Sequence, residues 1–372
     1  MRTVLASDLH LGARSGADLV RRPEFAELLT SAVAGADQVV LLGDVLEMRD
    51  RPVAEVLEIA GPFFEALGEA VGDGRIVVVP GNHDHQLLNP WLERRRMRGA
   101  GPLGLEQVAK ANAGALGSLA RKTGNAEVVL AYPGIWVRDD VYATHGHYLD
   151  AHLTVPTFER IGVGVVERML GGSPDGHRAP DDYESAQAPL YSFLYGLAQG
   201  RSRTGRVAGA NTSARVWEAV HGRDGRPSLG GLIAGRVGVP GAVGLANRLG
   251  LGPLRSDLSA AEIGRAGVRA MAEVVRNLRI EAAHVVFGHT HRSGPREVLP
   301  GPAAAEPAWS PASGPRLHNV GSWVYAPGIL GHDSRDSQFW PGTVGVVTDE
   351  GEPTLLGLLD EHAHTDLKRR RS

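Results

Sequence analysis

The chain has 372 residues, of which 42% are hydrophobic and 22% charged, and this composition excludes a disordered chain or a coiled coil and predicts one large or two smaller folded domains. Its formal net charge of -3 provides no overall positive field, so nucleic acid is not the default partner. The absence of cysteine excludes disulfides, thiolate metal sites and cysteine nucleophiles, and any metal ion must be bound through nitrogen and oxygen.

Hydrophobic stretches in the sequence are short. None reaches the about 18 apolar residues that a membrane span needs, and the apolar run after Met1 is too short for the core of a signal peptide. The sequence therefore predicts a cytoplasmic location without a transmembrane segment, and it gives no indication of oligomeric state.

Three apolar runs in the first part of the chain, Arg2–Ala6, Gln38–Leu42 and Ile76–Val79, each end in a polar cluster and predict β-strands. Stretches with helical spacing of apolar residues, Ala17–Ala34 and Val53–Val71, lie between them. This alternation indicates βαβ units and an α/β fold with a parallel sheet buried on both faces. Ligands of such sheets bind at the carboxyl ends of the strands.

The middle of the chain contains closely spaced strands and then a region of different composition. Short strands are predicted at Glu127–Ala131, Ile135–Val137 and Val141–Ala143, close enough together for antiparallel pairing. Residues 151–256 are rich in glycine, arginine and proline and lack strong β-runs, so they are interpreted as a largely helical or irregular insertion.

The last part of the chain again shows sequence patterns typical of helices and strands. Ser259 and Glu262 form a capping box that predicts the start of a helix leading into a strand at His284–Phe287. An alanine- and proline-rich stretch, Gly301–Pro315, is predicted to be a surface loop, and residues 359–372 a flexible tail.

Five polar clusters share one predicted context, the end of a strand or the loop after it. Each cluster alone is weak, because a histidine near a strand end is most often a structural residue. Their repetition after successive β-runs makes chance a poor explanation. The clusters are SDLH with Asp8 and His10, GDVLE with Asp44 and Glu47, GNHD with Asn82, His83 and Asp84, THGH with His145 and His147, and GHTH with His289 and His291.

These residue types suit a pair of divalent cations. Two ions about 3.5–4 Å apart need a ligand that touches both, and the Asp44 carboxylate after Gly43 is the natural bridge. Asp8 and His10 are two residues apart and can bind one ion from the same side of a strand end. Asn82 offers a neutral amide oxygen, delivered by the turn at Pro80 and Gly81.

His83 is predicted to be catalytic without binding metal. It could donate a proton to a leaving oxygen or bind a phosphoryl oxygen. Asp84, the second predicted catalytic residue, has two open interpretations: it orients the His83 ring, or it caps the following helix.

The ordered motifs DxH, GDxxE, GNHD, HGH and GHTH resemble those of the calcineurin-like metallophosphoesterases, over about residues 1–150 and 257–358. The resemblance implies a four-layer αββα sandwich and a dinuclear metal centre in which a metal-bridging hydroxide attacks phosphorus. It implies that one metal ion is bound by Asp8, His10, Asp44 and His291, and the other by Asp44, Asn82, His145 and His289.

Within that superfamily, SDLHLG, GDVLE and NVGSW at Asn319–Trp323 resemble most the group that includes the UDP-2,3-diacylglucosamine pyrophosphatases. Two positions differ from that group. It typically carries arginine where this chain has His83, and aspartate where this chain has His147.

Other side chains near the motif loops are candidates for contacting substrate. The foremost are His147, Arg94 and Arg95, whereas His284, within a strand, is predicted to be structural. The wider set of candidates comprises His85, His152, His332 and Arg96.

The leading hypothesis is a metal-dependent phosphoesterase that hydrolyses a phosphomonoester, phosphodiester or pyrophosphate. Manganese is the preferred ion, with iron, zinc or cobalt as alternatives. Residues 151–256 are expected to form a lid over the centre, with a surface excursion that merely connects as the alternative. The expected substrate is a phosphorylated small molecule or a phospholipid-like compound, because residues 230–254 mix apolar side chains with Arg236 and Arg248. The alternatives are a nuclease, which low aromatic content disfavours, and a metal-free binding scaffold.

Overall fold

The computed structural model describes most of the chain. The described residues are 1–169, 171, 179–200, 243–244, 247–248, 254–255, 257, 260–295, 307–311, 314–328, 330 and 337–368. No helix among them is long and apolar enough to cross a bilayer.

The first part of the chain alternates strands and helices as the sequence predicts. Its elements are β1 (Thr3–Ala6), α1 (Pro23–Val33), β2 (Gln38–Leu42), α2 (Val53–Val71), β3 (Arg75–Val79), α3 (Asn89–Met97), β4 (Glu106–Lys110), α4 (Gly114–Ala120), β5 (Glu127–Arg138) and β6 (Val141–Thr144).

The described elements of the second part comprise further helices and a second group of strands. They are α5 (Phe158–Met169), α6 (Pro180–Gly200), α7 (Ala260–Asn277), β7 (His284–Phe287), β8 (Ser293–Gly294), β9 (Arg316–Val320), β10 (Thr343–Val347), β11 (Thr354–Gly357) and α8 (His364–Leu367).

Two predicted elements differ from the structure in their limits. Helix α1 begins at Pro23 instead of Ala17, because Leu19–Arg21 forms a separate 3-10 turn and proline favours the first turn of a helix. The two strands predicted at 127–131 and 135–137 form one strand, β5, that continues through Pro133 and Gly134.

Strand β5 joins two groups of strands. The order is β11-β10-β1-β2-β3-β5-β6-β7-β9-β8, with β4 also paired to β5. The first residues of β5, Glu127–Leu130, pair in parallel with β3, and Gly134–Arg138 pair antiparallel with β6. At the other side of the first group, β1 lies between parallel β2 and antiparallel β10.

The two groups of strands pack face to face. Their inner faces form one buried apolar core that includes Leu5 and Val40 from the first group and Val286 and Val320 from the second. The outer faces pack against the helices in a separate core. These layers confirm the predicted α/β sandwich with helices outside both sheets.

The region predicted as an insertion, residues 151–256, contributes two described helices. Side chains of α6 are buried against the sandwich, among them Tyr183 and Tyr191. The stretch 230–254 expected to cover the site, including Arg236, lies mostly outside the described residues, and Arg248 is exposed.

The sequence predicts a flexible tail from residue 359 onward, but part of this segment packs against the fold. Leu359 and Leu367 are buried, and the Trp340 indole donates to the Leu359 carbonyl. Arg22 also donates to the carbonyls of Asp366 and Leu367. Apolar side chains within the predicted tail therefore join the core, and residues 369–372 lie outside the described part.

Candidate metal centre

Loops at the carboxyl ends of β1, β2, β3, β6 and β7 bring the predicted metal ligands together. Their nitrogen and oxygen atoms form three groups, each within 4.8 Å, that could hold a metal ion. The groups are Asp8 with His10 and His291, Asp44 with His145 and His289, and His10 with Asp44 and His83.

Asp44 lies between the first two groups. Its Oδ2 is 3.7 Å from His10 Nε2 and 3.4 Å from His145 Nε2. On one side, His291 Nε2 is 3.1 Å from Asp8 Oδ1. The position of Asp44 is therefore the one that a bridging ligand needs.

Asn82 completes the other side of the centre. Its Oδ1 lies 3.2 Å from His145 Nε2 and 3.1 Å from His289 Nδ1. The structure thus brings all seven predicted ligands together, although residues 8 and 291 are far apart in sequence.

Five of these predicted ligands have a backbone conformation that residues other than glycine rarely adopt. Their positive φ angles are 55° at Asp8, 47° at His10, 49° at Asp44, 66° at His289 and 57° at His291. Left-handed conformations of this kind cost free energy and concentrate at functional sites.

Two glycines allow the ligand loops to approach each other. Gly43 has a φ of 84°, and a Cβ there would collide with the His145 ring. A Cβ at Gly81 would collide with the Asp44 carboxylate and the His145 ring. Larger residues at these positions would therefore move Asp44 away from His145.

Hydrogen bonds on the far sides of three histidines leave one ring nitrogen of each directed into the centre. His145 Nδ1 donates to the Leu42 carbonyl at 2.9 Å, which leaves Nε2 free to bind a metal ion. His10 Nδ1 is 3.1 Å from Glu47 Oε2, and His289 Nε2 is 2.9 Å from Asp150 Oδ1.

The residues present fit divalent metal ions. The convergent atoms are lone-pair donors of the kinds that transition-metal ions bind. Asp8 Oδ1 is buried and has no hydrogen-bond partner among the described residues, although His291 Nε2 lies beside it. A buried carboxylate oxygen without a hydrogen bond is costly unless a cation compensates it.

The electrostatics of the centre follow from burial and close opposite charges. Burial alone would raise the pKa of Asp44, but His145 and His83 outweigh it and hold that pKa well below its usual range. Burial lowers the pKa of His145, but Asp44 outweighs it and raises the pKa to about 9. Metal binding at His145 Nε2 therefore has to release a proton.

Residues 1–183 match the family model of the calcineurin-like phosphoesterases. The calcineurin-like phosphoesterase match begins before β1 and ends within α6, inside the predicted insertion. It contains five of the predicted ligands, and His289 and His291 join them from beyond its end. A search of curated proteins found no match. The family match supports the superfamily predicted from the motifs and, with the ligand groups, metal-dependent phosphoester hydrolysis in general.

His83 lies at the edge of the group of predicted ligands. Its Nδ1 is 2.7 Å from Glu47 Oε2, and its Nε2 is 4.0 Å from Asp44 Oδ2. Its side chain is 18% exposed, whereas the side chains of Asp8 and His145 are fully buried. Nε2 is therefore within reach of both the ligands and solvent.

Asp84 contacts backbone N–H groups. Its Oδ2 accepts from Val45 and Leu46, and its Oδ1 accepts from Gly81. Burial and the neighbouring Asp44 raise the pKa of Asp84 to about 6. Its contacts hold together the loops after β2 and β3, whereas Glu47 is the carboxylate on the His83 ring.

Sequence reasoning missed the roles of Glu47 and Asp150 as partners of the ligand histidines. Glu47 was visible as the last residue of GDVLE, three residues after Asp44. Asp150, which follows His147 in HGHYLD, carried no comparable signal, because its contact with His289 joins residues 139 positions apart.

The foremost substrate candidates lie in two parts of the fold, His147 after β6 and the two arginines on α3. His147 is buried, with Nε2 3.2 Å from the Tyr132 hydroxyl, and burial and His145 lower its pKa well below the usual value. Arg95 donates to Gln107 and to the Gly101 carbonyl, so its contacts are in the α3–β4 region. Arg94 is half-buried in the same helix.

The other histidines and Arg96 have the following contacts or exposure in the structure. His85 Nε2 lies 2.9 Å from Glu184 of α6, and His152 Nε2 lies 2.7 Å from the Tyr183 hydroxyl. His284 contacts His318 across neighbouring strands. Arg96 is exposed on α3, and His332 lies outside the described residues.

Proposed function

We propose that the protein hydrolyses a phosphoester, with two divalent cations bound by Asp8, His10, Asp44, Asn82, His145, His289 and His291. One observation carries this proposal: Asp44 lies between two ligand groups, within 3.7 Å of His10 on one side and 3.4 Å of His145 on the other. The calcineurin-like family match over residues 1–183 supports it.

Asp8, His10 and His291 would bind one ion, Asn82, His145 and His289 the other, and the Asp44 carboxylate both. Manganese is the preferred ion, and iron, zinc or cobalt suit the same mixed ligands. When bound, such ions supply Lewis acidity and lower the pKa of water so that it attacks phosphorus at neutral pH.

His83 is the proposed general acid. Glu47 Oε2 accepts from Nδ1 and orients the ring so that Nε2 faces Asp44 and the ligand loops. A proton on Nε2 would then pass to the leaving oxygen of the substrate, which prevents a strongly basic alkoxide from forming. Asp84 supports this step indirectly, because its contacts with Gly81 and Val45 position the loop that carries His83.

The substrate is proposed to be a phosphorylated small molecule or a phospholipid-like compound, with a pyrophosphate of the nucleotide-diphosphate lipid type as one candidate. Residues 151–256 would select it, since α5 and α6 pack beside the centre and their continuation carries the apolar stretch 230–254. Replacing residues 201–253 by a Gly/Ser linker should retain hydrolysis of small aryl phosphates and abolish preference for the larger substrate. Unchanged selectivity would contradict this assignment.

A substrate panel with manganese-loaded protein tests the proposed function. It compares para-nitrophenyl phosphate, bis-para-nitrophenyl phosphate, cyclic nucleotides and nucleotide-diphosphate lipids, with chelator-treated protein as the control. We expect metal-dependent hydrolysis of at least one class. Two bound ions without any hydrolysis would contradict a phosphoesterase, and the absence of metal binding would favour a binding scaffold.

A further inference from the structure

Arg49, two residues after the GDVLE motif, is a buried cation beside the metal centre. Its side chain is 4% exposed, and its Nε has no hydrogen-bond partner among the described residues. NH1 lies 3.6 Å from Glu159 Oε1 of α5, and the guanidinium lies over the Tyr191 ring of α6, 4.9 Å from its centroid. The Arg49 side chain therefore has one N–H donor, at Nε, that no described residue accepts.

Both terminal nitrogens of Arg49 lie 3.3 Å from one end of the Asn82 amide. When Oδ1 faces His145 and His289, the Asn82 NH₂ group faces Arg49, so donors meet donors. When the amide is turned by 180°, its NH₂ donates to His145, His289 and Asp44, and its oxygen accepts from Arg49. Hydrogen bonding alone therefore favours the turned orientation.

Metal binding favours the opposite orientation. Only the amide oxygen of Asn82 has a lone pair for a metal ion, so this oxygen must face His145 and His289. Arg49 then loses the Asn82 oxygen and retains the Glu159 carboxylate at 3.6 Å, and two sets of N–H donors face each other in a buried place. An anionic oxygen to one side of this contact, within hydrogen-bond distance of both groups, would satisfy both, and a planar guanidinium suits phosphoryl oxygens especially well.

We propose that Arg49 and the Asn82 NH₂ group together bind a phosphoryl oxygen of the substrate, and that this anion site forms when metal ligation turns the Asn82 amide. The proposal rests on the function proposed above. It makes Arg49 a substrate-binding residue and couples phosphate affinity to metal occupancy through one side chain.

Calorimetric titration with inorganic phosphate tests the proposal in manganese-loaded and chelator-treated protein. In loaded protein, Arg49→Gln should weaken phosphate binding roughly 10- to 100-fold, the range for losing a charged hydrogen-bond partner. In chelator-treated protein the same substitution should change phosphate binding by less than about 3-fold, because Asn82 already pairs with Arg49. Arg49→Lys keeps the charge but not the planar donors and should give an intermediate loss.

The matched control is Arg121→Gln, which removes an exposed arginine directly after α4 and should leave phosphate binding unchanged. Manganese content, measured in each variant, should stay at the wild-type level. Equal phosphate affinity in loaded wild-type and Arg49→Gln protein would overturn the proposal, as would an equal loss with and without metal. If Arg49→Gln fails to fold, wild-type affinity in Arg49→Lys overturns it. Arg49-dependent phosphate binding without hydrolysis of any phosphoester would retain this site and contradict the proposed function.

Discussion

At the scale of single residues, several of the proposed ligands have a strained backbone conformation. Asp8, Asp44 and His289 have φ angles of 55°, 49° and 66°, which cost of order 1–3 kcal/mol each outside glycine. Hydrogen bonds between the loops compensate this cost, since Asp8 N donates to the Gly43 carbonyl and His289 N donates to Asp8 Oδ2. The ligand positions are therefore set by backbone as much as by side chains.

Asp44→Asn should remove activity and lower the occupancy of both ions, because the bridging position loses its charge and one metal-binding oxygen. Asparagine tolerates a positive φ, so the loop should persist. Metal analysis and turnover measure the effect, and Asp349→Asn, an exposed carboxylate paired with the N-terminus, is the control. Two ions at full occupancy with near-normal turnover would contradict the role of Asp44.

His83→Ala should lower turnover by roughly 10²–10⁴ while metal content stays constant, as expected for the loss of a positioned acid. The loss should be smaller for substrates whose leaving groups need little protonation. A series of aryl and alkyl phosphates measures this dependence. Equal losses across the series would make His83 a phosphate-binding residue instead of an acid.

The convergence of the seven proposed ligands could be predicted from the sequence, because each lies in a short motif after an apolar run. Glu47 belonged to such a motif, but its contacts with His10 and His83 depend on loops that meet only in the folded protein. Arg49 and Asp150 could not be predicted. The burial of Arg49 comes from α5 and α6, and periodicity does not show where these helices pack.

At the scale of elements, the half-buried carboxylate of Glu184 is one of the groups that attach α6 to the sandwich. Glu184 accepts from the hydroxyls of Tyr132 and Tyr148 and pairs with His85 at 2.9 Å. Burial raises the pKa of Glu184, but His85 and the two hydroxyls outweigh it and lower the pKa. The sequence predicts the helical character of this region but not its attachment, because the partners lie about 36 to 99 positions away.

Glu184→Gln should destabilise the protein by about 2–3 kcal/mol, because a half-buried charged acceptor of three donors is replaced by an amide with one oxygen. Denaturant unfolding monitored by tyrosine and tryptophan fluorescence measures the change. The control is Glu65→Gln, which breaks an exposed ion pair with Lys122 and should cost less than about 1 kcal/mol. Similar effects of the two substitutions would show that α6 is not held by Glu184.

At the scale of the whole molecule, the sandwich contains a histidine pair whose buried member, His318, is sensitive to acid. His284 Nδ1 and His318 Nε2 are 3.1 Å apart on the neighbouring strands β7 and β9. Burial and the neighbouring His284 lower the pKa of His318 to about 3 from its ordinary value of 6.5. His318 therefore stays neutral in the folded protein at pH values where the unfolded chain binds a proton.

The sign of the resulting effect follows from proton linkage. Below pH 6.5 the unfolded chain gains a proton at His318 that the folded protein does not, so stability falls with falling pH until about pH 3. Between pH 7 and pH 5 this contributes a loss of about 2 kcal/mol. The destabilisation caused by His318→Gln should therefore be about 2 kcal/mol smaller at pH 5 than at pH 7, measured by denaturant unfolding. A pH-independent difference would contradict the shifted pKa.

The pairing of β1 with β10 also affects how the chain is synthesised. Thr3–Leu5 leave the ribosome well before their partners Gly345–Val347. Until those partners emerge, β1 presents an open edge of backbone donors and acceptors, the feature that lets nascent chains pair with one another. A ribosome-stalled chain that ends before Thr343 should bind holdase chaperones, and release of the full chain should end that binding.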